Sequence, residues 1–146
     1  MISLDTNILF PALDPGHGDH KSAVAFFESL ADRRDVVISE FILLELYGLL
    51  RNPAILRRPL TADAATSVCE SFRRHPRWQI IGFPPDSHVF HDTLWPRLRE
   101  HNFARRRAYD WRTALSLLRQ GVTEFATVNT KDFEGCGFKR VWNPLD

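Results

Sequence analysis

Met1-Ile2-Ser3-Leu4-Asp5-Thr6-Asn7 opens the chain. Its first four residues form a short, largely apolar run that reads as a buried strand, and no turn residue separates that run from a carboxylate and two small polar side chains. Asp5 therefore stands at a strand end. In an open parallel sheet the carboxyl ends of the strands face the crevice where ligands bind, so an acid there is either a site residue or a strand cap.

Beyond Asn7, Phe10 to Gly18 carries Pro11, Pro15, Gly16 and Gly18 and reads as a loop, with Asp19 as the N-cap of a helix from His20 to about Arg33. That helix places Ala23, Val24, Phe26, Phe27 and Leu30 on one face. Val36-Val37-Ile38 is a second strand, and Ser39 caps a helix from Glu40 to about Arg51 that is apolar nearly all round and so expected to be buried. Thr61 caps a third helix to about Arg74, and Trp78 to Ile81 form a third strand. Pro96 splits the helical pattern between Asp86 and Asn102 into two short helices or one kinked one. A further helix runs from near Tyr109 to Gly121, Phe125 to Val128 form strand four, and Phe138 to Trp142 are a candidate fifth. Alternation of this kind predicts an α/β fold, a parallel sheet with helices on both faces.

The 146 residues fit one domain spanning 1–146, and 44% hydrophobic with 25% charged residues is an ordinary globular composition. No apolar run reaches the roughly 20 residues of a membrane helix, and no secretory signal is apparent. Cys69 and Cys136 lack paired spacing, which favours reduced thiols and a cytoplasmic location. A net charge of +1 does not mark a nucleic-acid binder. The cations are nonetheless mostly arginine, sixteen against three lysines, through phosphate preference or through codon bias.

Glu45 lies on the apolar second helix with Phe41, Ile42, Gly48 and Leu49 as its neighbours three and four positions away. A buried carboxylate in that setting needs a raised pKa, an arginine or a metal ion. Asp110, at the start of the fifth helix, falls at the sheet edge where strand one ends, as a site acid or a first-turn cap. Thr127-Val128-Asn129-Thr130-Lys131-Asp132 returns polar groups to that edge. Acids gathered without a cation repel one another, and an all-oxygen set suits Mg²⁺ or Mn²⁺, ions that act on phosphate esters. The pairs His17/His20 and His88/His91 have no further ligands nearby and read as surface residues.

Leu4-Asp5-Thr6-Asn7, Glu45 within Leu43-Leu44-Glu45-Leu46, Asp110 opening a helix, and Thr127 to Phe133 together resemble the PIN domain, specifically the VapC-type toxins of bacterial toxin-antitoxin pairs. The resemblance spans nearly the whole chain, to Val141-Trp142-Asn143-Pro144. It implies a three-layer α/β/α sandwich around a mainly parallel sheet of about five strands. The implied activity is a Mg²⁺- or Mn²⁺-dependent endoribonuclease, commonly a homodimer, held inactive by a cognate antitoxin. Carried over by position, Asp5, Glu45 and Asp110 would bind metal, Thr6 and Asn7 would orient them, and Thr127 would support them. Asn129 stands where many PIN domains have a fourth acid; Asp132 would partly replace it if Thr130 to Phe133 form a helical turn. Arg105, Arg106, Arg107 and Arg112 would contact RNA phosphates or an acidic partner. Trp95 and Trp111 read as core rather than as base-stacking platforms. Rival readings are a PIN nuclease of RNA maturation, a catalytically weak RNA-binding module, and a phosphoaspartyl enzyme, the last disfavoured by Asn at position 7.

Overall fold

The computed structural model describes residues 1–100 and 103–146. Five strands form one parallel sheet: β1 (Ile2–Leu4), β2 (Val36–Ser39), β3 (Gln79–Ile81), β4 (Glu124–Ala126) and β5 (Arg140–Trp142), in the order β3-β2-β1-β4-β5. Six helices accompany it among the described residues: α1 (Thr6–Leu13), α2 (His20–Leu30), α3 (Glu40–Leu50), α4 (Ala62–Arg73), α5 (Ser87–Arg97) and α6 (Arg107–Arg119). This is the expected PIN-like α/β/α architecture, with every strand pairing parallel.

The first strand is central, pairing Ile2 with Val36 on one side and Leu4 with Ala126 on the other. From β1 the chain builds outward to β2 and β3, then returns to lay β4 and β5 on the opposite side. The strand order therefore reverses between β1 and β4, and a crevice opens at the carboxyl ends of those two strands. Asp5 follows β1 and Thr127 follows β4, so both lie at that point. Leu4, Ile8, Leu9, Ile38, Ile42, Leu46, Leu117 and Phe125 are fully buried around the sheet. Each such side chain contributes about 1.5–3 kcal/mol of burial, which makes the base of the crevice rigid.

Several local expectations change. The segment read as a loop from Phe10 is helical as far as Leu13, because Asp5 caps α1 and burial of Ile8, Leu9, Phe10 and Pro11 outweighs the one backbone hydrogen bond that Pro11 removes. Asp19 precedes α2 without a side-chain capping bond, whereas Ser39 and Thr61 cap α3 and α4 through the amides of Phe41 and Ala64. Helix α3 is not buried all round: Leu44 is 71% exposed and Glu45 is exposed beside it. Pro96 occupies the last turn of α5, where it ends the helix instead of kinking it. The two-helix alternative for Asp86 to Asn102 lies partly outside the described residues. Trp111 is in the core, but Trp95 is 64% exposed.

Candidate active site

The crevice is built from the end of β1 outward. The backbone amide of Asp5 continues the ladder to the carbonyl of Ala126 at 2.9 Å, and its carboxylate then caps α1. Oδ1 accepts from the Thr6 amide at 2.7 Å, and Oδ2 accepts from the Thr127 hydroxyl at 2.7 Å. Thr127 is itself held by the amide of Asn129 and the side-chain amide of Asn7, which donate to its Oγ1 at 3.1 and 3.3 Å. The Asn7 carbonyl oxygen accepts from the Val128 amide at 3.1 Å, fastening α1 to the loop after β4.

Glu45 reaches the same place from α3. Its Oε2 accepts from the Thr6 hydroxyl at 2.9 Å. The partner that its apolar helix neighbours lack is thus a hydroxyl on another helix, and the packing of α1 against α3 brings the two together. Glu45 is exposed on the groove wall, which corrects the expectation of a buried charge, since α3 turns that face away from the core.

Asp110, half-buried in the first turn of α6, completes the acidic set. Burial pushes its carboxyl up to about 6, with the charges of Glu45 and Asp132 acting in the same direction and Arg107 and Arg106 acting against them. Burial likewise pushes Asp5 up to about 7, despite the hydrogen bonds from Thr127 and Thr6; the neighbouring charges of Glu45 and Asp110 add to it. Thr130–Phe133 is a 3₁₀ turn, which brings Asp132 to the wall beside Asp110 and Asn129. The condition for Asp132 to join the site is met.

Two concavities, about 700 and 990 Å³, meet at this cluster and share Glu45, Arg106, Asp110 and Asn129. Asp5, Thr6 and Asn7 line the second, while Arg107, Arg112 and Asp132 line the first. Of the four predicted arginines, Arg106 lines both concavities, and Arg107 and Arg112 line the first. Arg107 is committed to the carbonyl of Asp132 at 3.1 Å and to the ring faces of Phe103 and Trp111, and Arg112 stacks on Phe41. Arg105 does not line the acidic groove; it faces an apolar hollow between α5 and α6 that Arg106, Tyr109 and Arg112 also line. Phe41, Leu44 and Tyr109 also line the groove and were missed from sequence, since apolar periodicity does not distinguish a core face from a groove face.

Among the described residues, no three His, Cys, Asp or Glu side chains form a ready-made metal cage. The donors are carboxylates, whose neighbouring charges raise the proton affinity of Asp5 and Asp110, and none has an ion-pair partner among the described residues. That chemistry fits an oxygen-seeking divalent cation that keeps part of its water shell. No helix among the described residues is long and apolar enough to cross a membrane, and both cysteines are free thiols.

No family model matches the chain. It is similar to ribonuclease VapC24 of Mycobacterium tuberculosis, in two strains, with 43% identity over 145 residues covering 99% of this chain and 97% of the relative. In structure it is similar to VapC20 of Mycobacterium tuberculosis, a sarcin-ricin loop cleaving toxin, with a TM-score of 0.69 at 19% identity over 94% of this chain and 96% of that one. It is also similar to VapBC2 of Rickettsia felis bound to promoter DNA, with a TM-score of 0.65 at 21% identity over 98% of each chain. These structural likenesses carry the fold, and the near-complete match to VapC24 carries more: the chain belongs to the VapC family of ribonucleases.

Proposed function

We propose that this protein is a Mg²⁺- or Mn²⁺-dependent endoribonuclease of the cytoplasm and the toxin of a type II toxin-antitoxin pair. The supporting observation is the convergence of Asp5, Glu45 and Asp110 from three separate elements at the sheet's switch point, two of them positioned by threonine hydroxyls. The three carboxylates would hold the cation, with Asn129 and Asp132 at the margin able to supply a carbonyl and a fourth acid. A bound divalent ion supplies an activated water and offsets charge on the phosphate oxygens. Thr127 and the Thr6 amide fix both oxygens of Asp5, so that carboxylate meets its ligand without reorganising. Thr6 sets the rotamer of Glu45, Asn7 holds the Val128 loop against α1, and Arg106 steadies the RNA phosphate beside the acids. Hydrolysis places the water oxygen on phosphorus as the P–O bond to one ribose breaks, and the proton the water gives up ends on the departing ribose oxygen as a hydroxyl.

VapC20 is described as a sarcin-ricin loop cleaving toxin, and VapBC2 as bound to a DNA fragment from its promoter. By the same logic this chain forms a homodimer with a cognate antitoxin occupying the groove. Cleavage of structured RNA by purified protein is expected with Mg²⁺ or Mn²⁺, to cease in EDTA, and to fall to background in Asp5→Asn and Asp110→Asn variants that remain folded by circular dichroism. Undiminished cleavage in either variant would remove that acid from the site.

A further inference from the structure

The 700 Å³ groove does not end at the acids. It continues along α6 to Tyr109 and Arg112 and across to Phe41 on α3. Tyr109 is 65% exposed, and Phe83, just beyond the groove, is 48% exposed. Neither exposure is explained by packing of the monomer. Arg112 lies among these rings: its guanidinium carbon is 4.6 Å from the Phe41 centroid, 5.7 Å from Phe83 and 5.8 Å from Tyr109, and Phe41 meets Phe83 edge-on at 4.6 Å. Rings on several sides fix the plane of a side chain that is otherwise flexible.

What Arg112 lacks is an anion. Among the described residues it enters no salt bridge and no hydrogen bond, and its Nε is buried with no partner. Arg33, Arg73, Arg74, Arg77 and Arg119 each hold a carboxylate, whereas Arg112 is held by three rings with its Nε buried. A planar cation held by aromatic rings, with an exposed phenol ring three residues before it on the same helix, matches the chemistry of an unpaired nucleotide. The base stacks on a ring face, and the phosphate takes the guanidinium donors.

We propose that Tyr109, Arg112 and Phe41 form a nucleotide subsite one step along the groove from the acids. There the base of an unpaired ribonucleotide flanking the cleaved bond stacks on Tyr109, and its phosphate pairs with Arg112. The subsite rests on the ribonuclease reading and deepens it, because it makes the enzyme select RNA in which the flanking base is splayed out of a helix. Arg112 is a positioning residue here: it orients the strand and touches no reacting atom.

The test uses an oligoribonucleotide carrying 2-aminopurine at successive positions beside the cut, bound in EDTA to the full protein so that no cleavage occurs. Stacking quenches the fluorophore at one position only. Tyr109→Ala is expected to abolish that quenching and weaken binding by about 5- to 100-fold, the range of base stacking on an aromatic ring, while Tyr109→Trp retains both. Arg112→Lys is expected to raise KM with kcat little changed, since a flexible ammonium does not reproduce the fixed fork. RNA that binds and is cleaved equally well by wild type and Tyr109→Ala would overturn the subsite and leave the nuclease intact. If Tyr109→Ala weakened only inhibition by an antitoxin peptide, the groove end would be a protein-docking surface, which also overturns it. A folded wild type that neither binds nor cleaves any RNA would instead defeat the ribonuclease reading itself.

Discussion

Thr127 shows how much one buried hydroxyl organises. It donates to Asp5 and accepts from the amide of Asn129, so strand β4 and the following loop are tied to the acid through one oxygen. Thr127→Val keeps the shape and removes these two bonds together with the one from the Asn7 side-chain amide. Cleavage is expected to fall about 10- to 100-fold, as when supporting groups around a metal site are removed, with weakened Mn²⁺ binding measured by calorimetry. Thr127→Ser should restore most of it. The motif around Asp5, Thr6 and Asn7 was legible because these side chains follow a strand directly. The hydroxyl that satisfies Glu45 was not, because Thr6 lies 39 residues away and only the crossing of α1 and α3 brings the two together.

At the scale of elements, α3 carries the site on one face and the core on the other. Ile42, Leu43, Leu46 and Leu50 are buried, while Leu44 and Glu45 line the groove. Leu46→Ala is expected to cost about 2–5 kcal/mol, and Ser39→Ala, which removes the cap on Phe41, about 1 kcal/mol. Urea unfolding separates the two, and only the core variant should approach loss of the fold at 37 °C. A cavity-sized loss from Ser39→Ala would show that its hydroxyl does more than cap. Proline and glycine content misled the reading of α1, whose end at Leu13 is decided by burial against its neighbours, and exposure of Trp95 was beyond any local pattern.

For the whole molecule, the acidic cluster couples stability to pH. Asp5 and Asp110, raised to about 7 and about 6, keep protons in the folded state that the unfolded chain has already released. The folded form therefore binds more protons than the unfolded form, and stability of the metal-free protein falls as pH rises from about 5 to about 7. Urea midpoints across that range are expected to decline, Asp5→Asn should flatten the decline, and Mg²⁺ should reverse it by displacing the protons. A rise of stability with pH in EDTA would contradict the coupling.

The alternation of strands and helices, the caps at Ser39 and Thr61, and the acids at positions 5, 45 and 110 were all set by the sequence alone, because each depends on a residue and its near neighbours. The 3₁₀ turn that brings Asp132 beside Asp110, the union of Thr6 with Glu45 and the aromatic surroundings of Arg112 were decided only by the tertiary structure. Their partners are far apart in the chain, and no local periodicity records which faces of two helices will share a groove.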